Sequence, residues 1–332
     1  MRRALFNKNR GDYVECCLCP HNCRIRKDSR GLCQVRENRG GSLYTYSWGN
    51  LVAASPDPIE KKPFYHFLPG SKSFSIACPG CNFKCDFCQN WRISQADITQ
   101  LAEKEQAPEK VISEAKATGS RSIAYTYTEP TIYLEYALEV MKQAEEAGIA
   151  NVFVSNGYTS AQAREAVIPL LDAVNVDLKS ARDEFYRRIC AGKLEPVLES
   201  IRDYKQRGVW VEVTTLVIPD LNDSNKELED VALFLAELDP DIPWHVSRFH
   251  PDYKRGGGTP TSVETIQKAV SIGREKGLKH IYPGNIRLQG GEDTHCPECK
   301  NLLIERHNFS VKQNNLRKGV CPRCETQIKG VW

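Results

Sequence analysis

The chain has 332 residues, 41% of them apolar, and no apolar run of the length a bilayer-spanning helix needs, which argues against a helical membrane protein and leaves enough surface for one large core. The net charge of +3 hides an asymmetry: residues 1–40 carry ten Lys/Arg against four Asp/Glu and residues 295–332 carry seven against three, so the stretch between is acidic. Basic flanks around an acidic centre favour docking on that centre over nucleic-acid binding.

The N-terminus, residues 1–11, is basic but lacks the apolar core and cleavage site of a signal peptide, so a cytoplasmic, reducing location with no membrane association is expected. Fourteen cysteines in such a compartment point to metal rather than disulfides. They fall in groups. Cys16, Cys19, Cys23 and Cys33, with Cys17 as an alternative ligand and His21 nearby, occupy a Cys-rich N-terminal segment, residues 1–69. Their irregular spacing leaves zinc and a second iron–sulfur cluster equally open.

From Ser71 onward, β-branched and aromatic runs alternate with amphipathic stretches, the pattern of repeated βα units on a parallel sheet. Strands are predicted at 71–78, 121–128, 150–155, 173–178, 209–217 and 242–249, with a weaker seventh at 278–283. Helices are predicted near 108–118, 131–147, 160–171, 182–206, 224–238 and 262–276, the fourth broken around 192–196. Pro108 stands at a first helical position, Thr261 to Glu264 has the form of a capping box, and Gly119, Gly148, Gly208 and Gly277 close four helices. Six units are too few for a closed eight-stranded barrel, so residues 70–290 are expected to form an open partial (β/α)6 TIM-type barrel.

Cys81, Cys85 and Cys88 follow the first of these strands. Three thiolates at this spacing ligate three irons of a [4Fe–4S] cube and leave the fourth open, whereas adding Cys78 would close a tetrahedral zinc site. The irregular loop after a strand favours the cube, with Cys78 read as the last strand residue, its thiol facing the barrel interior. Ligands gather at strand carboxyl ends in such sheets, and there stand Tyr127 to Pro130, Ser155 to Gly157, Asp177 to Lys179, and His250. Cys190 is isolated; a buried inert thiol is the ordinary reading, and a hydrogen-atom donor the sharper one if it faces the mouth. Finally, Cys296, Cys299, Cys321 and Cys324 form two Cys-Pro-x-Cys knuckles, the spacing of a zinc ribbon, in a C-terminal module at 291–332. Structural zinc is the expectation there, with rubredoxin-like iron as the alternative.

The central triad after the first strand of a six-unit array resembles the radical S-adenosylmethionine (SAM) superfamily. The resemblance implies that the open iron chelates SAM, whose reductive cleavage gives methionine and a 5′-deoxyadenosyl radical that abstracts hydrogen from a substrate. It implies Phe87 near the adenine, Glu129 on the methionine amino group, Ser155 and Asn156 against the cofactor, Lys179 with Asp177 at the carboxylate, and His250 by the ribose or methionine end. Tyr127 and Thr128 replace two glycines of the activating enzymes of glycyl-radical proteins, and Val154 replaces their aspartate. Cys17 to Cys23, Cys88 to Trp91, Tyr125 to Thr131 and the final Gly-Val-Trp make the whole chain similar to the radical SAM family of the AmmeMemoRadiSam system, which is pyruvate formate-lyase activating enzyme-like. That resemblance implies an electron donor such as a flavodoxin or ferredoxin, partner proteins of the same system, and a small-molecule, peptide or RNA substrate. A glycyl-radical activase is the alternative within the enzyme class. A metal-bound adaptor that binds an acidic partner or nucleic acid is the alternative outside it.

Overall fold

The computed structural model describes residues 1–98 and 105–332. Six short strands, β1 (Arg2–Arg3), β2 (Asn7–Asn9), β3 (Tyr13–Cys16), β4 (Arg24–Arg26), β5 (Arg36–Arg39) and β6 (Ser42–Thr45), pair antiparallel in two sheets ordered β1-β6-β5 and β2-β3-β4. The main sheet follows in spatial order: β7 (Ala53–Pro58), β8 (Lys72–Ala77), β9 (Ser122–Tyr125), β10 (Ala150–Ser155), β11 (Ala173–Asp177), β12 (Trp210–Val217), β13 (Trp244–Arg248) and β14 (Ile281–Gly284). β8 to β14 are parallel, and β7 pairs antiparallel with β8. The result is the expected partial barrel with an added edge strand. A boundary drawn at residue 70 separates two strands that are hydrogen-bonded to each other.

Helices α1 (Trp91–Ser94), α2 (Pro108–Ala117), α3 (Leu134–Glu146), α4 (Ala161–Val167), α5 (Asp183–Phe185), α6 (Glu195–Gln206), α7 (Asn225–Leu238) and α8 (Val263–Glu275) lie between the strands. The break expected around 192–196 lies at 191–194, after a π turn over Tyr186–Cys190 and with Ala191 at φ 58°. Gly119, Gly148, Gly208 and Gly277 take left-handed conformations after their helices. The capping signal of α8 sits one residue later than expected. Ser262 Oγ accepts from Thr265 N at 3.1 Å, while buried Thr261 donates to Val217 O and accepts from Phe249 N, tying the ends of β12 and β13.

Alternation along the strands sorts side chains into two layers. Phe74, Ile76, Tyr125, Phe153, Val174 and Val211 join the large cluster that packs on the helices. Ala124, Val152 and Ala173 face the other way and enclose Ile59, Phe64, Phe67 and Leu68 from the segment between β7 and β8. Small side chains inside the barrel leave room for this plug. Buried Glu212 holds it, accepting from the backbone N–H groups of Tyr65 and His66 and pairing with His245 at 2.6 Å. Cys78 follows the register of Phe74 and Ile76, so its buried thiol belongs to the helix-facing cluster near Tyr133 and Tyr136, not to the barrel interior as read from the sequence.

The C-terminal sheet, β15 (Thr294–His295), β16 (Leu302–His307) and β17 (Ser310–Asn314), has a small core of Cys296, Leu303, Ile304, Cys321 and Ile328. The chain then returns under the barrel, where Val331 pairs with Phe67 and the Trp332 ring lies 5.2 Å from that of His66. No helix among the described residues is long and apolar enough to cross a membrane.

Candidate active site

The carboxyl ends of the parallel strands open on a cavity of about 290 Å³, near the lower end of the range for small-molecule sites. Cys81, Cys85, Phe87 and Cys88 enter from the loop after β8, Glu129 from the loop after β9, Ser155 and Asn156 from β10, and Asp177 and Lys179 from β11. Parallel register brings these side chains, far apart in sequence, to one rim.

The cysteine loop starts at Gly80, whose φ of 98° favours glycine. The loop presents its sulfurs to nearby donors: Phe83 N–H to Cys81 Sγ at 3.4 Å, and Asn156 Nδ2 to the same sulfur at 3.8 Å. Ser94 Oγ lies 3.3 Å from Cys88 Sγ. Burial pushes the Cys81 and Cys88 thiols up, and a hydrogen bond with Cys190, added to burial, does the same for Cys85. Unmetallated, the three are therefore neutral thiols, and loading with iron must release their protons. Among the described residues, these sulfurs do not form a group within 4.8 Å of one another, the spacing a single ion needs, and Cys78 points elsewhere. The donors fit a polynuclear cluster better than a tetrahedral zinc.

Glu129 is buried beside the cysteine loop, with Asn156 touching both. Its Oε1 accepts from Thr131 N, Thr131 Oγ1 and Ser155 Oγ at 3.0, 2.6 and 2.9 Å, and Oε2 accepts from Asn156 N at 2.8 Å. Burial raises the carboxyl's pKa against these four bonds. Oε2, with one protein partner, retains acceptor capacity for a cation. Burial works to lower the Lys179 amine, but Asp177 at 2.9 Å overrides it and holds the group protonated. Lys179 Nζ also sits 5.8 Å from the centre of the Phe87 ring.

Two sequence candidates lie elsewhere. His250 is exposed and outside the cavity lining, its Nε2 3.4 Å from Asn285 O; Asn285 and Ser247 line that side instead. Strand β13 ends at Arg248, so His250 is carried past the rim by the turn into Tyr253. Cys190 is fully buried behind Cys85 and does not face the mouth.

The floor holds residues that the sequence reading missed. Lys61, Lys62 and Pro63 of the plug line the cavity. Asp57 on β7 accepts from Lys61 at 2.6 Å, Lys62 at 2.8 Å, Ser75 at 2.9 Å and Tyr127 OH at 2.6 Å. Burial lowers Lys62 to about 8 despite Asp57, and Asp57, opposed by its own burial, is held below the usual carboxylate range by the two lysines and Tyr127. Tyr127 adopts φ 63° at the first of the two positions where the resembling enzymes carry glycine, which turns its hydroxyl down to this cluster. No motif marks Asp57 or Lys62. The Tyr127 departure was the one available signal.

A family model described as the radical SAM superfamily matches residues 75–235. An uncharacterised protein of Methanocaldococcus jannaschii is 43% identical over 318 residues, covering 95% of both chains. The chain carries a radical SAM superfamily domain. Such a domain implies a [4Fe–4S] cluster and SAM, and the cavity has donors suited to both. Other superfamily relatives are named as activating enzymes: pyruvate formate-lyase-activating enzyme of Clostridium pasteurianum is 22% identical, covering 61% of this chain and 88% of that one. A putative glycyl-radical enzyme activating enzyme of M. jannaschii is 26% identical, over 52% and 71%. The crystal structure of Streptococcus suis SuiB bound to precursor peptide SuiA aligns at TM-score 0.52 with 13% identity, covering 69% of this radical SAM chain and 52% of that one, a likeness of fold.

The C-terminal cysteines are the one group of His, Cys, Asp or Glu donors among the described residues whose atoms all lie within 4.8 Å of one another. Cys296 and Cys324 sulfurs are 3.5 Å apart, and Cys299 and Cys321 3.6 Å, as four ligands of one tetrahedral ion require.

Proposed function

We propose that the chain reductively cleaves SAM at a cluster held by Cys81, Cys85 and Cys88 and uses the product to take hydrogen from a substrate above Lys61 and Lys62. When bound, the cluster and SAM supply one-electron cleavage of a carbon–sulfur bond, giving methionine and a 5′-deoxyadenosyl radical. The protein's part is placement. Glu129 Oε2 receives an ammonium, Ser155 and the Asn156 backbone N–H fix that carboxylate, and Lys179, kept cationic by Asp177, meets a carboxylate. Asn156, whose amide bonds Asn82 Oδ1 at 2.8 Å, holds the cysteine loop. Phe87 offers an apolar face, and the buried plug excludes water from below.

The observation that carries this reading is the convergence of three thiols, one buried carboxylate, the Ser155 hydroxyl with the Asn156 amide, and one half-buried ammonium from four successive strand ends on one cavity. Anaerobic reconstitution, reduction and assay for 5′-deoxyadenosine test it. Folded protein that binds iron and sulfide yet forms none of that product, with or without candidate substrates, would sink it.

Similarity to enzymes named as activators supports a second reading of the substrate, a glycine Cα–H of a partner protein. The amine-rich floor supports instead a small molecule with an anionic or carbonyl group. Deuterium transfer from labelled candidates into 5′-deoxyadenosine separates the two. An electron donor of the flavodoxin or ferredoxin kind and partners from the AmmeMemoRadiSam system belong to this proposal, as does zinc at Cys296, Cys299, Cys321 and Cys324.

A further inference from the structure

A second enclosure lies behind the cysteine loop, on the side away from the cavity. Cys16 at the end of β3, Cys19 and Cys23 in the following turn, and Cys33 before β5 all line it, with Ile25 and Ile132 among their apolar neighbours. Cys16, Cys19 and Cys33 are buried and Cys23 is partly so. Cys17 is turned out of this set, its Sγ 3.8 Å from Glu15 O.

Arg36 forms one wall. Its side chain is 1% exposed, it grips Glu135 through Nη2, and Nη1 lies 3.9 Å from Cys16 Sγ, but the buried Nε has no partner. A buried N–H without an acceptor costs about 1–3 kcal/mol, so this site lacks an acceptor that a sulfur-rich anion would provide.

Sulfur spacing identifies the kind of ligand. One tetrahedral ion with Zn–S bonds of about 2.3 Å draws its thiolates to roughly 3.8 Å from one another. Among the described residues the C-terminal four meet that condition, and neither the N-terminal four nor the central three do. In a cluster each thiolate holds a different iron, so wider spacing is required. We propose that Cys16, Cys19, Cys23 and Cys33 bind a second [4Fe–4S] cluster, closed by four protein thiolates.

With no open iron, this cluster takes neither SAM nor substrate, which leaves one-electron transfer. Its location suits that role. Asn82 lines the enclosure and sets its Oδ1 3.9 Å from Cys81 Sγ, and a Cβ on Gly80 would touch Val35 at 2.7 Å and Cys33 O at 3.0 Å, so the two cysteine sets share a thin wall. A low-potential carrier protein gives up one electron to the second cluster, which passes one electron on to the iron held by Cys81, Cys85 and Cys88.

The full-length chain with Cys81, Cys85 and Cys88 all changed to Ala, reconstituted anaerobically, tests the site. About four irons and four sulfides per chain, one zinc, and a reduced-state resonance indifferent to SAM are expected. Two zincs with no sulfide would overturn the proposal. Should that variant not fold, Cys19→Ser/Cys33→Ser in the wild-type background is the second arm: iron falls from about eight to about four per chain, while Cys17→Ser keeps it. Iron lost from Cys17→Ser instead, or unchanged in the double variant, would equally overturn it. In the double variant, 5′-deoxyadenosine formation driven by a reduced flavodoxin-type protein should slow at least tenfold while formation driven by dithionite is kept; equal slowing with both refutes the relay.

Discussion

Lys179 is the residue whose role is most cleanly separable. Its amine is half-buried, cationic and, among the described residues, ion-paired with Asp177 alone, which is itself 38% exposed and loses little when left alone. Lys179→Met should weaken SAM binding by about tenfold or more, equivalent to at least about 1.4 kcal/mol, with iron content unchanged, as read by equilibrium binding to the reconstituted protein. Affinity equal to wild type would remove Lys179 from the cofactor site. Tyr127 makes a stability prediction. Its hydroxyl donates to Asp57 and accepts from Lys62, so Tyr127→Phe leaves both short of a partner and should cost about 1–3 kcal/mol in chemical denaturation.

Among the elements, the loop from Gly80 to Cys88 is where the N-terminal sheets and the barrel meet. Gly80→Ala forces a Cβ to within 3.0 Å of the Cys33 carbonyl at a φ of 98°. It should lower the melting temperature and reduce iron bound per chain; unchanged iron would show that the loop does not depend on this contact. Most of the barrel was legible beforehand because each strand is a short β-branched run and helix ends carry glycine. The cavity was legible for the same reason: parallel strands deliver their end residues to one rim, so Cys81, Glu129 and Lys179 could be grouped without knowing the fold in detail. β7 was not legible. Ala53 to Pro58 holds two prolines and no β-branched residue, and it forms a strand because β8 offers it a free edge. Asp57 and the plug lysines went unseen with it. His250 lies outside the lining because the chain turns away two residues past the end of β13.

At the scale of the whole molecule, the C-terminal module and the barrel are joined through buried histidines. His66 Nδ1 donates to Lys329 O, Nε2 of the neutral ring accepts from Tyr282 OH, and the ring lies 4.3 Å from that of His280. Burial holds His66 well below its ordinary pKa and His280 at about 4. The unfolded chain binds these protons first, near pH 6.5, so stability is fully present above that pH and is lost as pH falls toward about 4. Thermal melts should show this fall, and His280→Phe should shrink it; a slope unaltered by the substitution would assign the acid sensitivity elsewhere. Metal removal acts on the same junction. The module's core is small, so stripping the metal from Cys296, Cys299, Cys321 and Cys324 should unfold residues 291–332 and expose them to protease while the barrel persists. Resistance of that segment after chelation would mean that its apolar core suffices.

The plug between β7 and β8 governs traffic as well as packing. With Phe64 and Phe67 stopping the lower end, a molecule bound for buried Lys62 has to pass the rim where the nucleoside is expected to sit. Whatever occupies the bottom must arrive first and depart last, so steady-state kinetics should be compulsory-order, with the deoxynucleoside leaving ahead of the altered substrate.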